Sequence, residues 1–196
     1  VYTREELAAL YATCQKYGLR LFIDGARLGY GLVSAACDYD LPFLAKHCDV
    51  FYIGGTKVGA MMGEAVVFSG MKAPKYFFTN VKRHGALLAK GRMLGIQFDT
   101  LFTDELYFKI SRHAIAMATR IRSIFEKHGI AIAYDSPTNQ QFVVLSPALY
   151  EALSQKVAFE IWERKSEHEI ICRFVTSWAT KEEELDELDR ILQAYA

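Results

Sequence analysis

Two stretches decide the fold of this chain: residues 21–31 read LFIDGARLGYG, and residues 51–68 read FYIGGTKVGAMMGEAVVF. In both, a short apolar run ends at a glycine-containing segment, which is typical of buried parallel strands in an α/β sheet. Asp24 follows the first run, and the segment GGTK at 54–57 follows the second. Because ligands bind at the carboxyl ends of such strands, we expect Asp24 and Lys57 to project from the same edge of the sheet.

Asp24 and Lys57 each have a purely structural interpretation as well. An Asp after a strand often caps a helix or forms a turn, and a Lys after Gly-Gly-Thr is often a solvated loop residue. As a pair they suit a pyridine cofactor, because a carboxylate keeps the ring nitrogen protonated and an amine can bond to an aldehyde on the ring. The glycines at 54, 55 and 59 would let the backbone approach such a ligand closely.

Three short segments resemble a known family. The segment DGAR at 24–27, followed by GTK at 55–57, resembles the pyridoxal-phosphate (PLP) enzymes of the aspartate-aminotransferase fold. Within that fold the closest resemblance is to the threonine aldolase and β-eliminating lyase group. The segment RFVT at 173–176 is similar to that group's Arg-Φ-Val-Thr segment, where Φ is apolar. Members of the group often continue with His, whereas this chain continues with Ser177-Trp178.

The resemblance implies a cofactor role for four residues. Lys57 would hold PLP covalently and release it to the amine of the substrate. Asp24 would hold the pyridine nitrogen in its protonated form, which makes the ring an electron sink. Ala26 and Thr56 would also contact the cofactor, the latter by placing its hydroxyl on the phosphate.

Arg173 lies inside an otherwise apolar strand and by alternation shares a face with Ile171 and Val175. An arginine in that setting is either buried and paired or lines a cleft. The structural alternative is a salt bridge, for which Glu160 is the candidate partner. The resemblance implies instead that Arg173, with Arg27 nearby, grips the carboxylate of an amino-acid substrate through two parallel hydrogen bonds.

The activity that the resemblance favours is retro-aldol cleavage of a β-hydroxy amino acid to glycine and an aldehyde. A carboxylate held in place sets which bond at Cα stands perpendicular to the cofactor ring, and that bond breaks. Two alternatives remain open on the same scaffold: β-elimination and transamination share Lys57 and Asp24. A third alternative, from another class, is a non-catalytic fragment that keeps the fold without the cofactor.

The resemblance also sets the expected architecture, an α/β fold. Residues 1–88 would be the C-terminal part of a PLP-dependent transferase-like large domain, and residues 89–196 a small α+β C-terminal domain with a linker helix. The apolar pattern predicts strands at 19–23, 50–53 and 65–68, of which the last two form a hairpin. Three strands are too few for a sheet covered on both faces, so we expect an N-terminally truncated chain that lacks half of the cofactor pocket.

Periodicity and capping signals predict the remaining elements. A capping box at Thr3 opens the first helix and Gly18 ends it. A long amphipathic helix runs from Thr103 to Gly129, after a linker at 82–92 that joins the domains. The last part of the chain then reads strand, helix, strand, strand, helix, at residues 141–145, 147–156, 157–163, 169–175 and 181–195.

Composition narrows the function classes. The chain is 52% hydrophobic and 13% aromatic, enough for a core, and its 23 basic and 23 acidic residues give a net charge of zero. A neutral chain without a basic cluster argues against nucleic acid as the main partner, and no apolar run approaches the length of a membrane span. The four cysteines and five histidines show no metal-ligand spacing, so no metal site is expected. We expect a cytoplasmic protein acting on an amino acid, and the resemblance implies a homodimer or homotetramer.

Overall fold

A computed structural model describes residues 1–195 of the protein. Its contacts group the chain into two compact units, the first formed by Val1–Ile110 and the second beginning at Ser111. The domain division after residue 88 stays a prediction. None of the helices within residues 1–195 combines the length and the apolar character that crossing a membrane requires.

Within the described chain, the first unit holds five complete α-helices and a three-stranded sheet. Its elements are α1 (Arg4–Lys16), β1 (Phe22–Ile23), α2 (Leu28–Leu32), α3 (Leu41–Lys46), β2 (Val50–Gly54), β3 (Glu64–Phe68), α4 (Phe77–Arg83) and α5 (Arg92–Phe102). A short 3-10 helix (Thr103–Glu105) leads into α6 (Leu106–Lys127), which contains the boundary between the units. The second unit continues with β4 (Ile132–Tyr134), β5 (Gln140–Leu145), α7 (Pro147–Ser154), β6 (Glu160–Arg164), β7 (Ile170–Val175) and α8 (Glu182–Gln193).

The first sheet has the order β1-β2-β3. β1 and β2 run parallel, with Phe22 opposite Val50, and β2 and β3 form the predicted antiparallel hairpin. The predicted capping box of α1 is also present, since Thr3 and Glu6 bond to each other's backbone amides. These features depend on local sequence, and the sequence patterns predicted them correctly.

β1 is shorter than the predicted strand at 19–23. Before β1, the Leu21 amide bonds to a side chain and not to a neighbouring strand. The buried carboxylate of Asp49 accepts hydrogen bonds from Arg20 Nη1 at 2.9 Å and from the Leu21 amide at 2.8 Å. Because a carboxylate satisfies this backbone donor, regular strand pairing begins only at Phe22.

The ends of β1 and β2 approach each other so closely that two glycines are required. A Cβ on Gly25 would lie 1.7 Å from the carbonyl oxygen of Tyr52, and a Cβ on Gly54 would lie 2.4 Å from that of Ala26. The Gly54 amide donates to the Gly25 carbonyl at 2.9 Å, which continues the parallel pairing past the end of β1. This contact, called here the glycine junction, fixes the segments that follow both strands.

The second sheet has the order β4-β5-β7-β6, and each neighbouring pair is antiparallel. One of its faces packs against apolar side chains of α6, α7 and α8 in a single buried cluster that includes Phe125, Val143, Cys172 and Leu188. The predicted order of elements after α6 is confirmed, with bounds that differ by a few residues. The three-residue strand β4 and the helix α5 were not predicted.

The glycine junction generates a stability prediction. We expect Gly25→Ala to lower the free energy of unfolding by about 3 kcal/mol or more, since overpacking costs about 1–3 kcal/mol and the added carbon here meets a backbone carbonyl. Gly31→Ala is the matched control, because a Cβ at that position in α2 has nothing within 4 Å. It should stabilise by about 0.5–1 kcal/mol, as expected for Gly to Ala inside a helix. Urea unfolding followed by circular dichroism measures both; a Gly25→Ala protein as stable as wild type would contradict the close approach.

Candidate active site

Asp24 lies just past β1, and its side chain is exposed. One of its two carboxylate oxygens accepts two hydrogen bonds. The Ala26 amide donates to Oδ1 at 3.0 Å, and the Tyr52 hydroxyl donates to the same oxygen. These two hydrogen bonds, that from Tyr52 first, hold the pKa of Asp24 below its usual value, and the positive charges of Lys57 and Arg27 lower it further. The carboxylate is therefore ionised at neutral pH. Two other predicted site residues, Lys57 and Arg27, lie close enough to Asp24 to affect its pKa.

Tyr52 is a protonated donor to this carboxylate. The hydrogen bond to Asp24, together with burial, raises the pKa of Tyr52 to about 12. At neutral pH the phenol therefore keeps its proton. Within residues 1–195, Oδ2 of Asp24 has no hydrogen-bond partner, so that oxygen stays available to a further donor.

Lys57 lies on a tight turn that follows β2. The amides of Val58 and Ala60 both donate to the carbonyl of Gly55, at 2.9 Å and 3.0 Å. Gly59 has φ +92°, a backbone conformation that L side chains rarely adopt, so the turn depends on a glycine there. The turn leaves the Lys57 side chain exposed.

Two tyrosine hydroxyls hold this turn to α2. Tyr107 is fully buried, and its hydroxyl accepts from the Gly29 amide at 3.0 Å and donates to the Gly54 carbonyl at 2.9 Å. The hydroxyl of Tyr30, on α2, donates to the carbonyl of Lys57 itself. Polar contacts thus fix the backbone on either side of the lysine, whereas its side chain is exposed.

Thr56 has its hydroxyl engaged by an acidic residue. Thr56 Oγ1 donates to Glu64 Oε1 at 3.0 Å, and the Gly55 amide donates to Glu64 Oε2 at 2.5 Å. Glu64 begins β3 and therefore ties the turn to the hairpin. The expected contact of Thr56 with a cofactor phosphate stays a prediction.

Ala26 and Arg27 connect Asp24 to the start of α2. Both are half-buried, and Arg27 is the residue that precedes the helix. The backbone of Ala26 contributes to the site twice, because its amide binds Asp24 and its carbonyl packs on Gly54. The structure therefore brings Asp24, Ala26, Arg27 and the turn at 54–60 together in the first unit.

Arg173 lies in the second unit, on β7. Its neighbours Cys172 and Phe174 join the buried cluster, so by strand alternation its side chain stands on the opposite face of the sheet. Arg173 Nη2 forms an ion pair with Glu160, the partner that the sequence offered as the structural alternative. Its Nε is buried and lacks a hydrogen-bond partner among the described residues. A role for Arg173 in binding a substrate carboxylate stays a prediction.

The residues of the first unit fit a pyridine aldehyde. An ionised carboxylate with one uncommitted oxygen suits a protonated ring nitrogen, and an exposed primary amine suits an aldehyde. The close approach at Gly25 and Gly54 brings the two groups to one edge of the sheet. This donor set matches the chemistry of PLP.

Four tyrosine and glutamate side chains at this site were not predicted from the sequence: Tyr30, Tyr52, Glu64 and Tyr107. Tyr52 could have been predicted from the pairing of β1 and β2, because Ile23 pairs with Phe51 and the next residue of β2 is Tyr52. Tyr107 gave no local signal, because its partner Gly29 lies 78 residues away in the chain. Glu64 resembles any solvated residue at the start of a strand.

The contact between Tyr52 and Asp24 generates a prediction. Tyr52→Phe removes the donor that contributes most to the lowered pKa of Asp24, so we expect that pKa to rise toward its ordinary value. Titration of the Asp24 carboxyl carbon by NMR measures the shift. Tyr134→Phe is the control, because that phenol donates to Glu163 in the second unit. An Asp24 pKa that is the same in wild type and Tyr52→Phe would show that the hydrogen bond has no such effect.

Curated proteins of similar sequence match nearly the whole of this chain. The chain is 30% identical over 195 residues to a low specificity L-threonine aldolase from a Pseudomonas species, and 29% identical over 191 residues to one from Pseudomonas aeruginosa. These matches cover 99% and 97% of this chain but 56% and 54% of the relatives. The chain therefore spans about half the length of the curated relatives it matches.

Solved structures agree on the fold. A threonine aldolase from Leishmania major superposes with a TM-score of 0.95 at 37% identity, covering 99% of this chain and 57% of that one. A serine palmitoyltransferase from Sphingomonas wittichii, at 14% identity and a TM-score of 0.65, shows the shared fold alone, over 96% of this chain and 50% of that one. The predicted α/β fold class is confirmed. The family model described as Beta-eliminating lyase matches residues 1–148, and the chain therefore belongs to the beta-eliminating lyase family.

Proposed function

We propose that this chain carries the cofactor-binding and substrate-binding residues of a PLP-dependent aldehyde-lyase that cleaves a β-hydroxy amino acid to glycine and an aldehyde. The observation that carries the proposal is that an ionised Asp24 and the exposed Lys57 follow neighbouring parallel strands at one edge of the first sheet. Relatives of similar sequence are threonine aldolases, and the family is PLP-dependent. Threonine is accordingly the substrate that we test first.

Lys57 and Asp24 have distinct roles in this proposal. PLP, when bound, supplies an electron sink for the electron pair of the bond that breaks. The Lys57 amine attaches the cofactor, and the fixed turn around it holds the attachment point in place. Asp24 offers Oδ2 to the ring nitrogen, while Tyr52 and the Ala26 amide keep the carboxylate ionised through Oδ1.

Ala26 and Thr56 complete the proposed cofactor contacts. Ala26 contributes its backbone beside Asp24, because its amide binds the Asp24 carboxylate and its carbonyl packs against Gly54. The Thr56 hydroxyl donates a hydrogen bond to Glu64 in this structure. We propose that the hydroxyl donates to the cofactor phosphate instead when PLP binds. A hydroxyl makes such a change at little cost, because it rotates about a single bond.

Arg27 and Arg173 are the proposed carboxylate-binding residues. A guanidinium presents parallel donors that match both oxygens of a carboxylate. A held carboxylate limits the rotation of the substrate about Cα, and this orientation selects the bond to be broken. For a β-hydroxy amino acid the selected bond is Cα–Cβ, which yields glycine and an aldehyde.

β-Elimination is the second candidate, because the family model that matches residues 1–148 is that of the β-eliminating lyases. It would use the same Lys57 and Asp24 but release a keto acid and ammonia from the substrate. The products therefore separate the two reactions. A cytoplasmic location and a homodimeric or homotetrameric state stay predictions.

The activity test uses the full-length protein with PLP and L-threonine. We expect glycine and acetaldehyde in equal amounts, and Lys57→Ala should lower the rate by about a thousandfold or more, because the attachment point of the cofactor is lost. Asp24→Asn should lower it by roughly a hundredfold, because a neutral amide does not stabilise the protonated ring. Lys75→Ala, an exposed lysine whose amine lies 5.1 Å from the Tyr76 ring centroid, is the control and should leave the rate unchanged.

The other outcomes of the assay decide between the candidates. A keto acid with ammonia, lost in Lys57→Ala, would replace the aldolase proposal by β-elimination. If neither set of products formed and Lys57→Ala behaved as wild type, the chain would be a non-catalytic member of its family.

A further inference from the structure

The guanidinium of Arg173 is engaged by its own chain on most sides. Nη1 donates to Gln140 Oε1 at 3.0 Å, and Nη2 donates to Glu160 Oε2. The indole of Trp162 lies against the guanidinium, with 5.4 Å between Cζ and the ring centroid. Nε, by contrast, is buried and has no hydrogen-bond partner within residues 1–195.

Nε and Nη2 form one edge of the guanidinium, and of these two donors only Nη2 has a hydrogen-bond partner. In arginine, the hydrogens on Nε and Nη2 point the same way, and this edge binds the two oxygens of a carboxylate in parallel. Glu160 contacts Nη2 with one oxygen, which leaves the second bond of the pair unmade. A buried donor without a partner costs free energy, so a carboxylate that bound both nitrogens would remove that cost.

Glu160 can leave this edge easily. Its side chain is 67% exposed, and it lies on β6, the edge strand of the second sheet. Ion pairs in which one partner is this exposed contribute little to stability, because water solvates the released carboxylate. Gln140 and Trp162 would continue to hold the guanidinium from two other directions after Glu160 had moved away.

We propose that Glu160 is an internal substitute for the carboxylate of the amino-acid substrate. It occupies Nη2 of Arg173 in the free protein and moves into solvent when the substrate carboxylate binds Nη2 and Nε together. This proposal rests on the proposed function, which gives Arg173 a carboxylate to bind. Glu160 thereby weakens the binding of ligands that carry a carboxylate, because these are the ligands that must displace it from Arg173.

The test compares two ligands that differ only at the carboxyl group, glycine and glycinamide. Each is titrated calorimetrically into the full-length protein with saturating PLP present. In Glu160→Gln, glycine should bind roughly two- to fivefold more tightly, as expected when an exposed ion pair no longer competes. Glycinamide, which cannot use both nitrogens as a carboxylate does, should bind the variant and the wild type equally.

A matched control and a second variant keep this test specific. Glu169→Gln removes a carboxylate that pairs with Lys165 in the same unit and makes no contact with Arg173, and it should leave glycine affinity unchanged. Glu160→Ala should act in the same direction as Glu160→Gln. Equal thermal unfolding of the three variants and the wild type shows that each is folded.

Three results would overturn the proposal. Glycine binding that is unchanged or weaker in Glu160→Gln would make Glu160 a supporting partner of Arg173. Equal gains for glycine and glycinamide would show that the carboxylate is not what Glu160 imitates, and no binding of glycine to either protein would show that Arg173 takes no carboxylate. The threonine assay tests the proposed function separately. If threonine is cleaved only when Lys57 is present but Glu160→Gln leaves glycine affinity unchanged, this proposal fails and the aldolase function stands. If Glu160→Gln binds glycine more tightly but threonine is not cleaved, the aldolase function fails and this proposal stands.

Discussion

The close approach of two backbones at Gly25 and Gly54 is the constraint on which the candidate site depends. No side chain fits at either position, because a Cβ would meet a backbone carbonyl at 1.7 Å or 2.4 Å. The chain can therefore turn sharply after both parallel strands at the same point of the sheet. Asp24 precedes one glycine and Lys57 follows the other, so backbone packing places the acidic and the basic group at the same edge of the sheet.

Polar contacts and apolar packing both hold the turn that carries Lys57. The side chains of Val58 and Ala60 are buried, while hydroxyl groups from Tyr30 and Tyr107 and the carboxylate of Glu64 fix the backbone. The hydrogen bond from the buried Tyr107 hydroxyl would be costly to leave unmade, so it holds the start of the turn in place. In the proposed function, this turn is a fixed attachment point for the cofactor, with the Lys57 side chain exposed.

Features set by neighbouring residues were predictable from the sequence, and features set by distant residues were not. The hairpin of β2 and β3 and the capping box at Thr3 follow from local patterns. The helix α5 was missed because Gly91 provides no side-chain cap at its start and Gly95 interrupts its interior. Alternation along β7 put Arg173 on one face with Ile171 and Val175 and offered Glu160 as its partner, and the structure shows that ion pair. The contact of Tyr107 with Gly54 spans 53 residues, and no local pattern encodes it.

The central claim is that Lys57 and Asp24 form one PLP site at the edge of the first sheet. The most direct measurement is reduction of the PLP-treated protein with borohydride, followed by peptide mapping of the pyridoxyl group. The account predicts a single labelled lysine, Lys57, with less label when Asp24 is replaced by Asn. A label on any other lysine, or no label on the full-length protein, would contradict it.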